Sequence, residues 1–312
     1  MRAFALDQFG EAGSIHDVPE PEPSEGEVRV KVDAASVNPF DLFVMKGFLK
    51  DRMEHHFPLI PLGDLSGVVD VVGGGVTTFK TGDRVFGTTG MRTLGHGSLA
   101  EKTLASASTL ARTPAGLGPV EAAALPLAGV SAMMLVEAVD PKPGDVVVVV
   151  GASGGIGGYA VQLASHRGAR VVAVTSTPHV EYVKSLGATD VIDRSYEDVS
   201  AALKTRYPDG VAGIIDTISD AATLAPYTEA VKPGGAVTSM RGAAVAEELE
   251  KRGLRATNIS TQMNTDRLNE LARLVAEGTL EPGLIHTFTL DGAAKAFELS
   301  GKGAGGKIVI TI

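Results

Sequence analysis

At 312 residues the chain is long enough for two domains with separate cores, and 44% hydrophobic with 21% charged residues is an ordinary globular composition. A formal net charge of −9 argues against a nucleic-acid partner, which needs a concentrated basic face. The absence of cysteine excludes disulfides, thiolate metal sites and a cysteine nucleophile. The start MRAFALDQFG lacks the apolar core of a signal peptide and no apolar run is long enough to span a bilayer, so the expectation is a cytoplasmic protein without a membrane partner.

The first third reads as β-rich. Glu27 to Asp33 alternates apolar and charged residues as a half-buried strand does. Gly67 to Val72 runs into three glycines as a strand ending in a tight turn, and Asp83 to Phe86 is a further short strand. The texture changes near Pro114–Pro119, where Pro119 suits the first position of a helix over Val120 to Val139.

Strands and helices then alternate. Val146–Val150 is a five-valine strand suited to burial on both faces. A helix over Ile156–Arg167 follows, then a strand Arg170–Thr175 and a helix Pro178–Leu186 capped by Thr177. Next come a short strand at Val191–Ile192, a helix Glu197–Arg206 capped by Ser195, and a strand Val211–Asp216. A helix near Leu224–Val231 and a strand Ala236–Met240 complete the series, whose order implies right-handed crossovers and a parallel, doubly wound sheet. Leu268, Leu271, Leu274 and Val275 share one face of a later helix closed by Gly278, and Lys307–Ile312 is a last strand folding back onto the first domain.

The strand Val146–Val150 runs directly into Gly151-Ala-Ser153-Gly154-Gly155-Ile156-Gly157 and then into a helix. Gly151 and Gly154 permit a sharp turn, Gly155 lets backbone approach a diphosphate, and Gly157 lets the helix pack closely on the strand. The helix N-terminus offers free N–H groups to an anion. The alternative is a glycine-rich connection that binds nothing. An NAD site usually places a carboxylate about twenty residues later, on the ribose hydroxyls. Here Thr175, Ser176 and Thr177 stand there instead, and His179 and Arg194 are candidates to face a 2′-phosphate. The expected cofactor is NADPH, with solvated surface residues as the alternative reading of His179 and Arg194.

Taken in order, these segments resemble a known family. Ala35–Asp41 (ASVNPFD), Pro61–Gly67 (PLGDLSG), Thr81–Val85 (TGDRV), Gly97–Glu101 (GSLAE), Pro126–Ala132 (PLAGVSA), Gly151–Gly157 with Ala160–Ala164 (AVQLA), and Gly305–Val309 (GGKIV) match zinc-independent medium-chain dehydrogenases/reductases of the quinone oxidoreductase, zeta-crystallin-like, branch. The resemblance implies an α/β architecture: a Rossmann doubly wound parallel sheet inserted in a GroES-like β-rich domain, with the active-site cleft between them. The corresponding division is residues 1–118 for the first part of the substrate domain, 119–262 for the NADPH-binding domain, and 263–312 for the return to the first.

It also implies NADPH-dependent reduction of a quinone or an α,β-unsaturated carbonyl. Asn38 resembles the family's active-site amide, donating to the substrate carbonyl, while Asp41 braces its loop. Where relatives often carry tyrosines, Phe43 and Phe48 stand, so a phenolic proton donor is missing and solvent supplies the proton. The two rings are expected to wall an apolar pocket, with core packing, the commoner role, as the alternative. Ser131 lies where the family contacts the nicotinamide end, Ser239 and Met240 follow the strand beneath that ring, and Lys307 resembles a late cofactor contact. Asn38 and Asp64 occupy the segments in which zinc members carry ligands. Asp64, His55, His56 and His96 could form a site in principle, but His residues at such spacings are more often surface or core groups, so no metal is expected. A homodimer joined through Ala236–Met240 is implied by analogy. The rival readings are a non-enzymatic NADPH-binding protein and an enoyl-thioester reductase.

Overall fold

The computed structural model describes residues 1–90 and 93–312. They divide into two compact units: Met1–Leu127 with Met263–Gly278 and Leu284–Ile312, and Ala128–Gln262 with Thr279–Gly283.

The first unit is built on a seven-stranded sheet. Its central strand, Glu27–Val37, pairs antiparallel with Asp64–Val72, Lys102–Ser106 and the C-terminal strand Lys307–Thr311. The strand is longer than its alternating stretch, because Ala34, Ala35 and Val37 continue it into the core. The charged face expected to meet water is partly covered. Arg29 is buried beneath Asp70, Glu22 and the carbonyl of Pro21, which holds the proline-rich segment against the sheet. On the other side, Leu59, Leu65, Val69, Val85, Leu99 and Ile310 form the core of the unit.

The second unit carries an all-parallel six-stranded sheet in the spatial order Ala188–Asp193, Arg170–Thr175, Val146–Val150, Val211–Asp216, Val231–Ser239, Arg255–Asn258. Numbered along the chain this order is 3-2-1-4-5-6, the doubly wound Rossmann arrangement. Val147, Val148 and Val149 are fully buried, as a central parallel strand requires. The strand order reverses between Val146–Val150 and Val211–Asp216, so ligands are expected outside the carboxyl ends of these two strands.

Several expectations are corrected in detail. The helix read over Val120–Val139 is two, Pro119–Ala124 and Pro126–Val139, since Pro126 has no N–H to continue the first. Thr177 does not cap a helix. A 3-10 turn occupies Thr177–His179, and the α-helix begins at Val180. Ser195 does not cap either, because Asp198 accepts from Ala201 N–H to start Val199–Arg206. Ala236–Met240 is not a sheet edge. Its residues 236–239 close the strand Val231–Ser239, Met240 lies just beyond it, and the short polar strand Arg255–Asn258 pairs outside it. Among the described residues no helix is long and apolar enough to cross a membrane.

Candidate active site

In the first unit, polar side chains gather at the end of the central strand. Asn38 precedes the helix Pro39–Met45, with Pro39 at its first position. Asp41, two residues further in, reaches back to accept from Asn38 N–H at 2.7 Å, as in a capping box. The Asn38 side chain is held at both ends. Its Nδ2 donates to Asp64 Oδ2 at 2.9 Å, and its Oδ1 accepts from Lys307 Nζ at 2.7 Å. Asp64 also accepts from Ser36 Oγ and from Leu127 N–H, each at 3.3 Å. Lys307 Nζ lies 3.8 Å from Asp64 Oδ2.

All four of these side chains are buried: Asn38 is 5% exposed, Asp41 2%, Asp64 1% and Lys307 5%. Their ionisation follows from this. Burial pushes the Asp41 carboxyl up to about 7, with the Asp64 charge adding, against the Asn38 N–H and the Lys307 ammonium. Burial also raises Asp64, opposed first by Lys307 and then by the bonds from Asn38, Leu127 and Ser36. Burial lowers Lys307, opposed by Asp64 and Asp41. Two carboxyls and one ammonium thus share a desolvated space, and the cluster readily retains a proton on a carboxyl near neutral pH.

This geometry gives two of the expected site residues partners within the unit. The amide of Asn38, expected to donate to a substrate carbonyl, is already engaged at both ends. Lys307, expected at the cofactor, directs its ammonium to Asn38, to the carbonyl of Val37 and toward Asp64. Sequence reasoning placed Asp64 only among potential zinc donors. Its partnership with Asn38 spans 26 residues and that of Lys307 with Asn38 spans 269, distances that no local pattern records. Beside them Phe43 and Phe48 are 46% and 63% exposed, their ring centroids 5.3 Å apart. Together they present an aromatic surface instead of serving as core. Among the described residues no three His, Cys, Asp or Glu side chains gather as a group able to hold a metal ion.

In the second unit, the glycine turn links Val146–Val150 to the helix Gly155–His166. Gly151 has φ +79°, and a Cβ there would stand 2.5 Å from Thr217 Oγ1. At Gly157 a Cβ would fall inside the carbonyl of Gly151, so the helix start packs directly on the turn. Gly154 behaves differently from expectation. Its φ of −76° suits any residue, and its part in the turn is an N–H donated to Gly151 O at 3.0 Å. Ser153, Gly154, Gly155 and Ile156 remain half-buried, where the first helical N–H groups have no partners within the helix.

At the end of the neighbouring strand, Thr175 is buried and its Oγ1 has no hydrogen-bond partner among the described residues. An orphaned hydroxyl at the neighbouring strand end, beside a glycine turn whose first helical N–H groups lack helical partners, fits a nicotinamide dinucleotide. Ser176 and His179 are half-buried, and Arg194 is exposed, its N–H donating to Thr175 O at 2.9 Å. Thr177 turns instead to Asp193, its Oγ1 donating to Oδ2 at 2.6 Å. Asp193 also accepts from Ser195 N–H at 2.9 Å, and these bonds, Thr177's foremost, hold its carboxyl below the ordinary range. Asp193 thus takes up the two groups expected to cap helices.

The remaining cofactor candidates serve the loops first. Ser239 is buried, donates to Asp216 Oδ2 at 2.9 Å, and accepts from the N–H groups of Arg241 and Ala243. Asp216, missed by the sequence reading, in turn accepts from Ser219 N–H at 3.0 Å and so shapes two loops at the switch point. Met240 donates its N–H to Asp216 O, and Ser131 is buried with its hydroxyl 2.6 Å from that of Thr261.

Comparison with known proteins agrees with this geometry. Residues 24–115 match the alcohol dehydrogenase GroES-like domain, and residues 155–275 match the zinc-binding dehydrogenase family. The chain is 32% identical to the Quinone-oxidoreductase QR1, chloroplastic, of Triphysaria versicolor, covering 99% of this chain and 98% of that protein. It is 30% identical to the NADPH-dependent alkenal/one oxidoreductase, chloroplastic, of Arabidopsis thaliana, over 99% of this chain and 79% of that one. Among solved structures it is similar to the quinone oxidoreductase from Coxiella burnetii, with a TM-score of 0.90 and 30% identity over 100% of this chain and 99% of that one. The chain belongs to the quinone oxidoreductase family of the medium-chain dehydrogenases/reductases, nicotinamide-dependent oxidoreductases with a GroES-like domain and a Rossmann sheet.

Proposed function

We propose that this chain is an NADPH-dependent reductase of quinones or α,β-unsaturated carbonyls that works without zinc. The observation that carries the reading is the glycine cradle at the switch point, with the orphaned Thr175 hydroxyl beside it. The helix N–H groups from Gly155 to Gly157 bind the diphosphate, and Arg194 and His179 favour a 2′-phosphate. Bound NADPH supplies the hydride. The names of the relatives, a quinone oxidoreductase and an alkenal/one oxidoreductase, support the choice of acceptor. Phe43 and Phe48 offer an apolar aromatic surface to a planar acceptor. The Asn38–Asp41–Asp64–Lys307 cluster fixes the backbone before Phe43 and holds a proton on Asp41 near neutral pH, while solvent supplies the proton that completes the reduction. The zinc-free reading is supported by the donor set: the chain has no cysteine, and Asp64 is bonded to Asn38.

The test is NADPH oxidation by the purified chain with a panel of quinones and enals. Turnover of at least one class is expected. Tight NADPH binding with no turnover of any acceptor would instead establish the second reading, a non-enzymatic NADPH-binding protein, which the engagement of Asn38 at both ends favours. The homodimer is carried forward as part of the proposal, with Arg255–Asn258 as the exposed sheet edge. Sedimentation at equilibrium reads it, and a monomer at micromolar concentration would remove it.

A further inference from the structure

The dinucleotide rule for NAD looks for a carboxylate at the end of the second strand of the sheet, and Thr175 stands there. The structure puts a carboxylate beside it from the next strand. Asp193 ends Ala188–Asp193 and pairs with Thr175 across the ladder. Arg194 follows at once and is tied to the same residue through its N–H and Thr175 O. A carboxylate and a guanidinium therefore leave one strand end together, next to a buried hydroxyl without a partner.

The two charges favour different ligands. A carboxylate accepts hydrogen bonds from ribose hydroxyls and repels a phosphate, whereas a guanidinium does the reverse. Thr177 adds to the first effect. Its hydroxyl hydrogen is given to Asp193, so it turns lone pairs outward and has no donor left for an anion. Asp193 is only partly buried; Oδ2 accepts from Thr177 Oγ1 and Oδ1 from Ser195 N–H. With the Thr177 N–H and Ser195 hydroxyl also favouring its charged form, it stays a carboxylate at the strand end.

We propose that Asp193 is a specificity-determining residue that opposes Arg194 in the choice between a 2′-hydroxyl and a 2′-phosphate, so that the chain prefers NADPH over NADH only narrowly. The inference rests on the dinucleotide reading of the Gly151–Gly157 turn. It differs from the usual rule in the strand that supplies the carboxylate, which is why a search about twenty residues after the glycines passes over it.

Isothermal titration of the full chain with NADPH and with NADH tests it, using the wild type, Asp193→Asn and Arg194→Gln. Asparagine is isosteric, keeps an oxygen for the Ser195 N–H and offers its amide to Thr177. Asp193→Asn is expected to raise NADPH affinity about three- to tenfold while NADH affinity stays level or falls, and the gain shrinks as salt rises from about 0.05 to 0.5 M. Arg194→Gln is expected to move the ratio the other way. A residue that merely held the loops would move both affinities together, and an unchanged NADPH/NADH ratio in Asp193→Asn overturns the proposal. If the wild type binds neither dinucleotide, the reading of the glycine turn itself has failed.

Discussion

Burying two carboxyls and one ammonium around a single amide is costly unless each charge has a partner, and here the partners are shared. Lys307 serves Asn38 and Asp64 at once, so its removal leaves the Asp64 carboxyl without a counter-charge and the Asn38 amide oxygen without its donor in a dry space. Lys307→Met is therefore expected to destabilise the fold by about 3–5 kcal/mol, read by urea denaturation. A loss under about 1 kcal/mol would mean that water reaches the cluster.

Asp41 gives a pH signature of definite sign. Its carboxyl titrates at about 7 in the folded chain against an ordinary value of 3.8, so the folded state holds the proton more tightly. Its contribution is complete below the ordinary value and is lost as pH rises toward 7. Asp41→Asn removes this dependence while keeping an oxygen for the Asn38 N–H. Relative to wild type, the variant should gain on the order of a few kcal/mol between pH 4 and pH 7. Comparing the two proteins at each pH cancels the opposite slope from carboxylates such as Asp70 and Glu20, which ion pairs hold low. A constant difference across that range would place the proton elsewhere in the cluster.

At the scale of the element, the glycine turn separates two kinds of glycine. Gly157 has no room for a Cβ against the backbone of Gly151, whereas Gly154 has an ordinary φ and a Cβ there meets Gly151 O only at 3.4 Å. Gly157→Ala should weaken dinucleotide binding at least tenfold, since the helix start must move away from the turn. Gly154→Ala should leave the fold within about 1 kcal/mol of wild type. Equal effects of the two on titration and denaturation would show that the turn is read by backbone access alone.

The same element shows what the sequence could disclose. Val146–Val150, the glycines and the strands Arg170–Thr175 and Val211–Asp216 were legible with their bounds, because burial on both faces and turn chemistry are written locally. The caps were not. Thr177 and Ser195 look like helix starts, and only the folded sheet brings Asp193 between them. Arg255–Asn258 is short and polar, so nothing in its pattern marks an edge strand. Within the candidate site the residue types were legible at Asn38 and Asp41, but their partners Asp64 and Lys307 come from strands set beside them by sheet register.

At the scale of the whole molecule, each unit has its own core, and the proposed dinucleotide contacts at the glycine turn, Thr175, His179 and Arg194 all belong to the second. A ligand that binds only the folded state adds stability by mass action, about 2.7 kcal/mol at a hundred times its Kd. For a cooperative unit of this size that is a rise in Tm of roughly 5–10 °C. NADPH at that excess should therefore raise the melting of the second unit, and Gly157→Ala should lose most of the shift. A melting trace that NADPH leaves unmoved in the wild type would remove the dinucleotide from the account. A shift confined to one of two resolved transitions would instead show that the two cores unfold separately and that only the second carries the cofactor.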